Sequence, residues 1–241
     1  MTTIVSAFVS NNLDEDMIMN KYYKNGKLLL KTNIPKIIFL DEKMLNLIGE
    51  DYNKSNTILI KIDKEANYLY NYREFITDFN LNTDNIKKDT LDYILTMCNK
   101  TEWVKTAILL NIFNTDNFMW IDFGIRYMFN CSDKEFIDKV NNLHNKTYSN
   151  IRIANIWNLD INYCFDIYKN ITWYFAGTIF GGNKDKLLLF ADKTKDKCIE
   201  IIMTKNTLMW EVNIWYLIYL DNKEIFDAYS CDHNNSLIDN Y

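Results

Sequence analysis

Strand-like apolar runs and helix-period stretches alternate along most of this chain. Thr3 to Val9 (TIVSAFV) is a β-branched and aromatic run closed by Ser10, Asn11 and Asn12, the pattern of a buried strand with a polar loop at its carboxyl end. Asp14 to Leu30 opens with acidic residues and carries basic ones toward Lys27, which suits the dipole of a helix. Pro35 introduces a strand at Lys36 to Leu40, and Asp41 can cap a short helix through Ile48. Thr57 to Ile62 (TILIKI) reads as a third strand, and the Tyr-rich stretch Tyr68 to Phe79 as helical or irregular.

From Ile86 to Phe113 the apolar spacing of Leu91, Ile94, Leu95, Cys98, Val104, Ile108 and Ile112 is helical, with a break expected between Asn99 and Thr101. Phe118 to Ile121 is a short apolar strand that runs into Asp122 and then Gly124. Beyond it come a helix at Asp133 to Leu143, strands at Ile151 to Ile156 and Ala176 to Phe180, and helices near Lys184 to Met203 and Leu208 to Leu220. This alternation predicts an α/β fold, a mixed and mostly parallel central sheet with helices on both faces. Ligands of such sheets bind beyond the carboxyl ends of the strands.

Length and composition narrow the picture. The 241 residues, 48% of them hydrophobic, suit one large domain spanning 1–241, and a single Pro with six Gly leaves little room for a flexible linker. A net charge of −5, with Lys and Arg dispersed among acidic residues, argues against nucleic acid as a partner. Apolar runs such as Thr106 to Phe113 fall short of the roughly 20 residues of a membrane span. The first residues lack a basic region followed by an uninterrupted apolar one, so a cytoplasmic location is expected.

The cysteines do not change this. Five of them, with no CxxC pair, suit a reducing compartment; their recurrence about every 33 residues has no matching flanking pattern and reads as coincidence. Asn-x-Ser/Thr triplets at Asn53, Asn99, Asn145, Asn170 and Asn234 are expected by chance in an Asn-rich chain.

Four places could carry chemistry. In Trp120-Ile121-Asp122-Phe123-Gly124 a carboxylate follows an apolar strand; holding a divalent cation, Asp122 would neutralise a sugar diphosphate. Taken alone, an Asp-x-Gly triplet more commonly caps a turn. Gly181, Gly182 and Asn183 end a strand just before a helix, where backbone amides could bind sugar hydroxyls or phosphate; an ordinary loop with Asn183 as cap reads equally well. Glu211 opens a helix and is the candidate base for removing a proton from an attacking hydroxyl, against the frequent case of an acidic residue that merely favours the helix dipole. Asp232 and His233, in a polar, Tyr-containing chain end, could add a metal or phosphate contact. Surface residues without a role are the simpler account there, as for His144.

Read together, TIVSAFV, PKIIFLD (Pro35 to Asp41), NKTEWVKTAILLNIF (Asn99 to Phe113), FMWIDFGI (Phe118 to Ile125), AGTIFGGNKD (Ala176 to Asp185) and FDAYSCDHNNSLIDNY (Phe226 to Tyr241) resemble, in order, the HtrL/YibB-like family of GT-A glycosyltransferases. The resemblance implies a GT-A-like fold with a nucleotide-binding half at 1–125 and an acceptor-binding half at 126–241. It implies that Ser6, Phe8 and Ser10 meet the base and ribose, and that Lys100 and Lys105 approach the diphosphate. WIDxG looks like the counterpart of the DxD metal motif, with Asp122 as its first carboxylate and Gly124 where the second would stand. Cys231-Asp232-His233 stands where the family tends toward Gly-Asp-Tyr, and Glu211 where it places an acidic residue opening a helix. The implied activity is transfer of a sugar, a hexose or related one, from a nucleoside-diphosphate donor, UDP foremost, to a hydroxyl of a glycan or similar acceptor, assisted by Mn2+ or Mg2+. Its rival is a GT-A-like protein that binds nucleotide or sugar and has lost transfer.

Overall fold

The computed structural model describes residues 1–11, 13–50 and 52–241. The chain begins with strand β1 (Thr2–Phe8) and a helical segment in three parts: α1 (Glu15–Met17), a wider π turn (Ile18–Tyr23) and α2 (Lys24–Leu30). Asp14 opens it by accepting a hydrogen bond from the Met17 N–H at 2.7 Å. Strand β2 (Lys36–Leu40) leads into α3 (Glu42–Ile48), and β3 (Thr57–Lys61) follows. Asp41 ties two elements together, accepting from the Met44 N–H at 2.9 Å as helix cap and from the Ser10 N–H at 2.6 Å. The Tyr-rich stretch forms a 3-10 helix over Tyr68–Phe75.

Helices α4 (Leu91–Cys98) and α5 (Lys100–Leu110) meet at Asn99, within the break that the sequence marks, and α5 ends at Asn111 in the left-handed conformation (φ 36°). Then follow β4 (Asn117–Ile121), α6 (Asp133–Asn142), β5 (Ile151–Asn155), β6 (Phe175–Asn183), α7 (Lys184–Lys205), α8 (Glu211–Asp221), β7 (Phe226–Ser230) and α9 (Ser236–Asp239). Leu237, Ile238 and Tyr241 are buried, and the Tyr229 hydroxyl donates to the Leu237 carbonyl at 2.7 Å, so the chain end closes onto the sheet.

One seven-stranded sheet, in the order β3-β2-β1-β4-β6-β5-β7, takes strands from both halves of the chain. All neighbours run parallel except at β6, which is antiparallel to both β4 and β5. The fold is thus α/β with a mixed, mostly parallel sheet, GT-A-like in architecture, as expected. Alternate residues feed two cores. Ile37, Phe39, Phe118 and Trp120 face α5, α7 and α8, while Ile38, Leu40, Met119 and Ile121 face α2, α3 and α6. Burial on both faces explains why these strands are continuous apolar runs rather than alternating ones. Among the described residues no helix is long and apolar enough to cross a membrane.

The connections determine where a ligand fits. From β1 the chain moves outward through β2 to β3, then returns to place β4 on the other side of β1. The order reverses there, leaving a crevice beyond the carboxyl ends of β1 and β4. Because β6 runs the other way, its first residues, not its last, reach that edge: Ile121 pairs with Ile179, whereas Asn183 pairs with Asn117 at the opposite edge.

Candidate functional site

The crevice holds a cavity of about 410 Å³, lined by Phe8, Tyr22, Tyr93, Trp173 and the acids Asp122 and Glu211, among others. Its floor is built from four elements. Asp122 continues β4 by one residue, its N–H donating to the Thr178 carbonyl of β6 at 3.0 Å. Lys100 opens α5, Glu211 opens α8, and Gly177 lies near the start of β6.

Lys100 joins them. Its ammonium meets Glu211 Oε1 at 2.9 Å, Asp122 Oδ1 at 3.0 Å and the Gly177 carbonyl at 2.9 Å, and its side chain is only 2% exposed. An ammonium has three N–H donors, and here each has an oxygen to meet. Burial alone would pull the Lys100 pKa down; the Asp122 and Glu211 carboxylates outweigh it and hold the amine above its ordinary value. Gly177 allows the close approach, since a Cβ there would come within 2.5 Å of Glu211 Oε1.

Asp122 is fixed from a second side. The Trp120 indole N–H donates to its Oδ1 at 2.7 Å. That indole is held in turn by near-parallel stacking on Trp103 (5.9 Å) and Phe180 (6.3 Å), contacts worth about 0.5–1.5 kcal/mol each beyond their burial. Both donors take the same oxygen, so Oδ2 accepts nothing from the described residues. The Asp122 side chain is 29% exposed and that of Glu211 7%. Burial pushes the Asp122 carboxyl above the usual carboxylate range; Lys100 and the Trp120 N–H counter this only in part.

Rings and amides form the walls. Burial, with the charges of Tyr127 and Asp122, pushes the Tyr22 phenol up to about 12. Tyr93 is likewise raised by burial, then by Glu211 and Asp122. Gly124 serves this wall, since a Cβ there would press on the Tyr22 ring at 2.9 Å. Among the described residues Asn11 Oδ1 and Thr178 Oγ1 are buried without a hydrogen-bond partner, and both residues line the cavity. Such orphaned groups in a cavity wall are free for a ligand.

The residues singled out in the sequence divide cleanly. Phe8, Lys100, Asp122, Glu211 and His233 line the cavity. Ser6 is buried inside β1 and Ser10 is tied to Asp41, so neither lines it; Ala7, Val9 and Asn11 do. Lys105 lies on the outer side of α5 and pairs with Asp192 of α7 at 2.5 Å. Gly181, Gly182 and Asn183 belong to the far end of β6 and are corrected to structural roles. Asn183 caps α7 by accepting from the Asp185 N–H at 2.9 Å, and Gly182 adopts φ 141° with Asn150 packed against it. Their place in the cavity is taken by Gly177 and Thr178, within the same AGTIFGGN segment, because the strand is reversed.

The metal set expected of Asp122, Asp232 and His233 is not assembled. Asp232 Oδ1 accepts from the His233 N–H at 2.6 Å within an exposed turn, and the His233 ring packs edge-on against Trp173 at 4.5 Å. Among the described residues no three His, Cys, Asp or Glu side chains converge as metal ligands. Asp122 Oδ1 and Glu211 Oε1, the oxygens drawn together, are both committed to Lys100. A divalent cation needs several oxygen ligands, and the donor set here, with its converging oxygens committed to an ammonium, does not fit one. Tyr22, Tyr93, Trp173 and Thr178 carried no signal along the sequence that would set them apart from core residues.

No family model matches the chain, and no curated protein matches it in sequence. Among solved structures the chain is similar to the 4-diphosphocytidyl-2C-methyl-D-erythritol synthase of Anaerococcus prevotii DSM 20548, with a TM-score of 0.46 and 10% identity over 98% of this chain and 88% of that one. The HtrL/YibB-like resemblance thus gains no support from a family model. What the structure supplies is the GT-A-like sheet and an acid pair bridged by a buried lysine at the edge that holds the cavity.

Proposed function

We propose that this chain is a glycosyltransferase, moving a sugar from a nucleoside-diphosphate donor, UDP-linked foremost, to a hydroxyl of a glycan or similar acceptor. The observation that carries the reading is the convergence of Asp122 and Glu211 on Lys100 at the floor of an aromatic-lined cavity, at the switch point of the sheet. If the reaction inverts, transfer to a hydroxyl needs a base, here a carboxylate, to take the proton as the oxygen attacks the anomeric carbon. Asp122 suits that task better than Glu211, to which the sequence pointed. Its carboxyl is raised by burial and it has a free oxygen at the cavity, whereas Glu211 is almost wholly enclosed. Glu211 then acts through Lys100, helping to hold it against Asp122. Asn11 and Thr178 offer unpartnered oxygens to the base or sugar hydroxyls.

The test is a panel of UDP- and GDP-sugars scored for hydrolysis and transfer, with and without manganese, by the wild type, Asp122→Asn and Glu211→Gln. Asp122→Asn is expected to lower turnover by about 10²–10⁴-fold with nucleotide affinity retained. In the wild type the rate should fall as pH drops through the raised Asp122 pKa. An Asp122→Asn enzyme as fast as the wild type removes the residue from the mechanism.

One observation favours the rival, a GT-A-like protein that binds nucleotide or sugar without transferring it: every N–H of Lys100 is satisfied inside the protein, as in a purely structural ion cluster. Binding without turnover across all donors decides for that reading.

A further inference from the structure

The cavity floor is negative, while its mouth carries both signs, with Asp84, Lys87, Lys88 and Asp89 all in the lining. Two carboxylates share one ammonium at the floor, which leaves a net negative charge there. At the mouth stand Lys21 and Lys88. The Lys88 ammonium lies over the Tyr93 ring at 4.9 Å, and that of Lys21 over the Tyr127 ring at 4.4 Å and the Tyr22 ring at 5.8 Å. All three rings line the cavity, as does Lys88 itself. Among the described residues neither lysine has a carboxylate within 4.0 Å, whereas Lys100, deeper in the same cavity, has two.

Burial, and after it the Lys88 charge, pulls the Lys21 pKa down. The ring faces hold both lysines. A pair of ammonium groups so held, with no carboxylate at ion-pair distance among the described residues, is an arrangement a polyanion can neutralise.

We infer that Lys21 and Lys88 form the binding site for the diphosphate of a nucleoside-diphosphate ligand, in place of a divalent cation. This rests on the glycosyltransferase reading for the identity of the donor, though not for the binding itself. Placed this way, the diphosphate lies at the mouth and the sugar points to Asp122. In transfer the acceptor oxygen forms its bond to the anomeric carbon and gives its proton to Asp122. The bond from that carbon to the β-phosphate oxygen breaks, its electron pair leaves on the diphosphate, and Lys21 and Lys88 offset the charge that develops there. Lys100, with no N–H to spare, does not take part in phosphate binding.

Calorimetric titration of the full chain with UDP, uridine and inorganic pyrophosphate, in the presence of a chelator, tests this. Lys21→Gln and Lys88→Gln are each expected to weaken UDP and pyrophosphate by about tenfold, the loss of one charge-assisted contact. Uridine affinity and thermal midpoint stay as in the wild type, because among the described residues both ammonium groups are held by ring faces and by no ion pair. Lys88→Arg should retain most of the affinity. UDP binding in both glutamine variants within about twofold of the wild type overturns the site, as does a wild type that takes up neither UDP nor pyrophosphate. A wild type that binds UDP through both lysines yet turns over no sugar donor leaves the site standing and removes the transferase reading. Unaltered transfer by the double variant removes the site alone.

Discussion

Lys36 and Lys100 are buried lysines at opposite edges of the same sheet, and their surroundings differ. Lys36, at the first residue of β2, is fully buried among neutral oxygens: the Thr32 carbonyl at 2.8 Å, Asn56 Oδ1 at 3.2 Å and Thr57 Oγ1 at 3.4 Å. Burial pulls its pKa down to about 7. Lys100, equally deep, is held above its ordinary value by two carboxylates. A buried amine thus keeps its proton where the fold supplies opposite charge, and tends to lose it where only dipoles are on offer. The edge with the compensated lysine is also the edge with the cavity. Charge has been buried there at considerable cost, while the other edge makes do with hydrogen bonds.

Removing the two amines should separate these cases. Lys100→Met leaves two carboxylates facing each other in a nearly closed floor and is expected to destabilise the protein by about 3–5 kcal/mol in urea unfolding. Adding Asp122→Asn and Glu211→Gln should recover most of that loss. If Lys100→Met unfolds at the wild-type urea concentration, the ion cluster is not what holds the floor together.

A smaller effect belongs to Lys36 and appears as a pH dependence. Its folded pKa of about 7 lies below the ordinary 10.5, so between those values the unfolded chain binds more protons than the native one. Stability therefore rises with pH through that window, by up to about tenfold in the folding constant per pH unit. Lys100, raised in the fold, stays protonated in both states there; its contribution is complete below its ordinary pKa and is lost only as pH climbs through the folded value. Unfolding curves from about pH 7 to just below the tyrosine range near pH 10 should lose one proton's worth of slope in Lys36→Met. An unchanged slope would show that Lys36 is charged in the fold and that the contrast with Lys100 is false.

The smallest effect concerns the two ends of β6. Asn183→Ala removes the cap of α7 and is expected to cost about 1 kcal/mol with nucleotide affinity unchanged, measured by thermal unfolding and calorimetry together. Weakened nucleotide binding would return Asn183 to the ligand side.

Local sequence carried most of the secondary structure. β2 occupies Lys36–Leu40 as the apolar run predicts, α3 follows its Asp41 cap, and the α4–α5 break falls at Asn99. These features depend on periodicity and on side chains within a few residues, and such information lies along the chain. The helical segment after Asp14 was also legible, though not its π turn at Ile18–Tyr23. Of the site, the sequence marked Asp122 at a strand end and Glu211 at a helix start, the two acids that the fold brings to one cavity.

The direction of β6 was decided elsewhere. A nine-residue buried strand has no local preference for parallel or antiparallel pairing, and its antiparallel pairing with β4 moves Gly181 to Asn183 to the far edge and brings Gly177 and Thr178 to the cavity. The same holds for the lysines. Nothing in the residues around Lys100 distinguishes it from Lys105 one and a half turns along α5; only the meeting of α5, β4, β6 and α8 gives the first two carboxylates and leaves the second on the surface. Apart from β7 (Phe226–Ser230), which was read only as part of a polar chain end, the chain by itself specified most of its strands, helices, caps and breaks, because these depend on near neighbours. Which charges meet, and at which edge, depended on contacts between residues up to 111 positions apart in sequence, and these exist only once the sheet has closed.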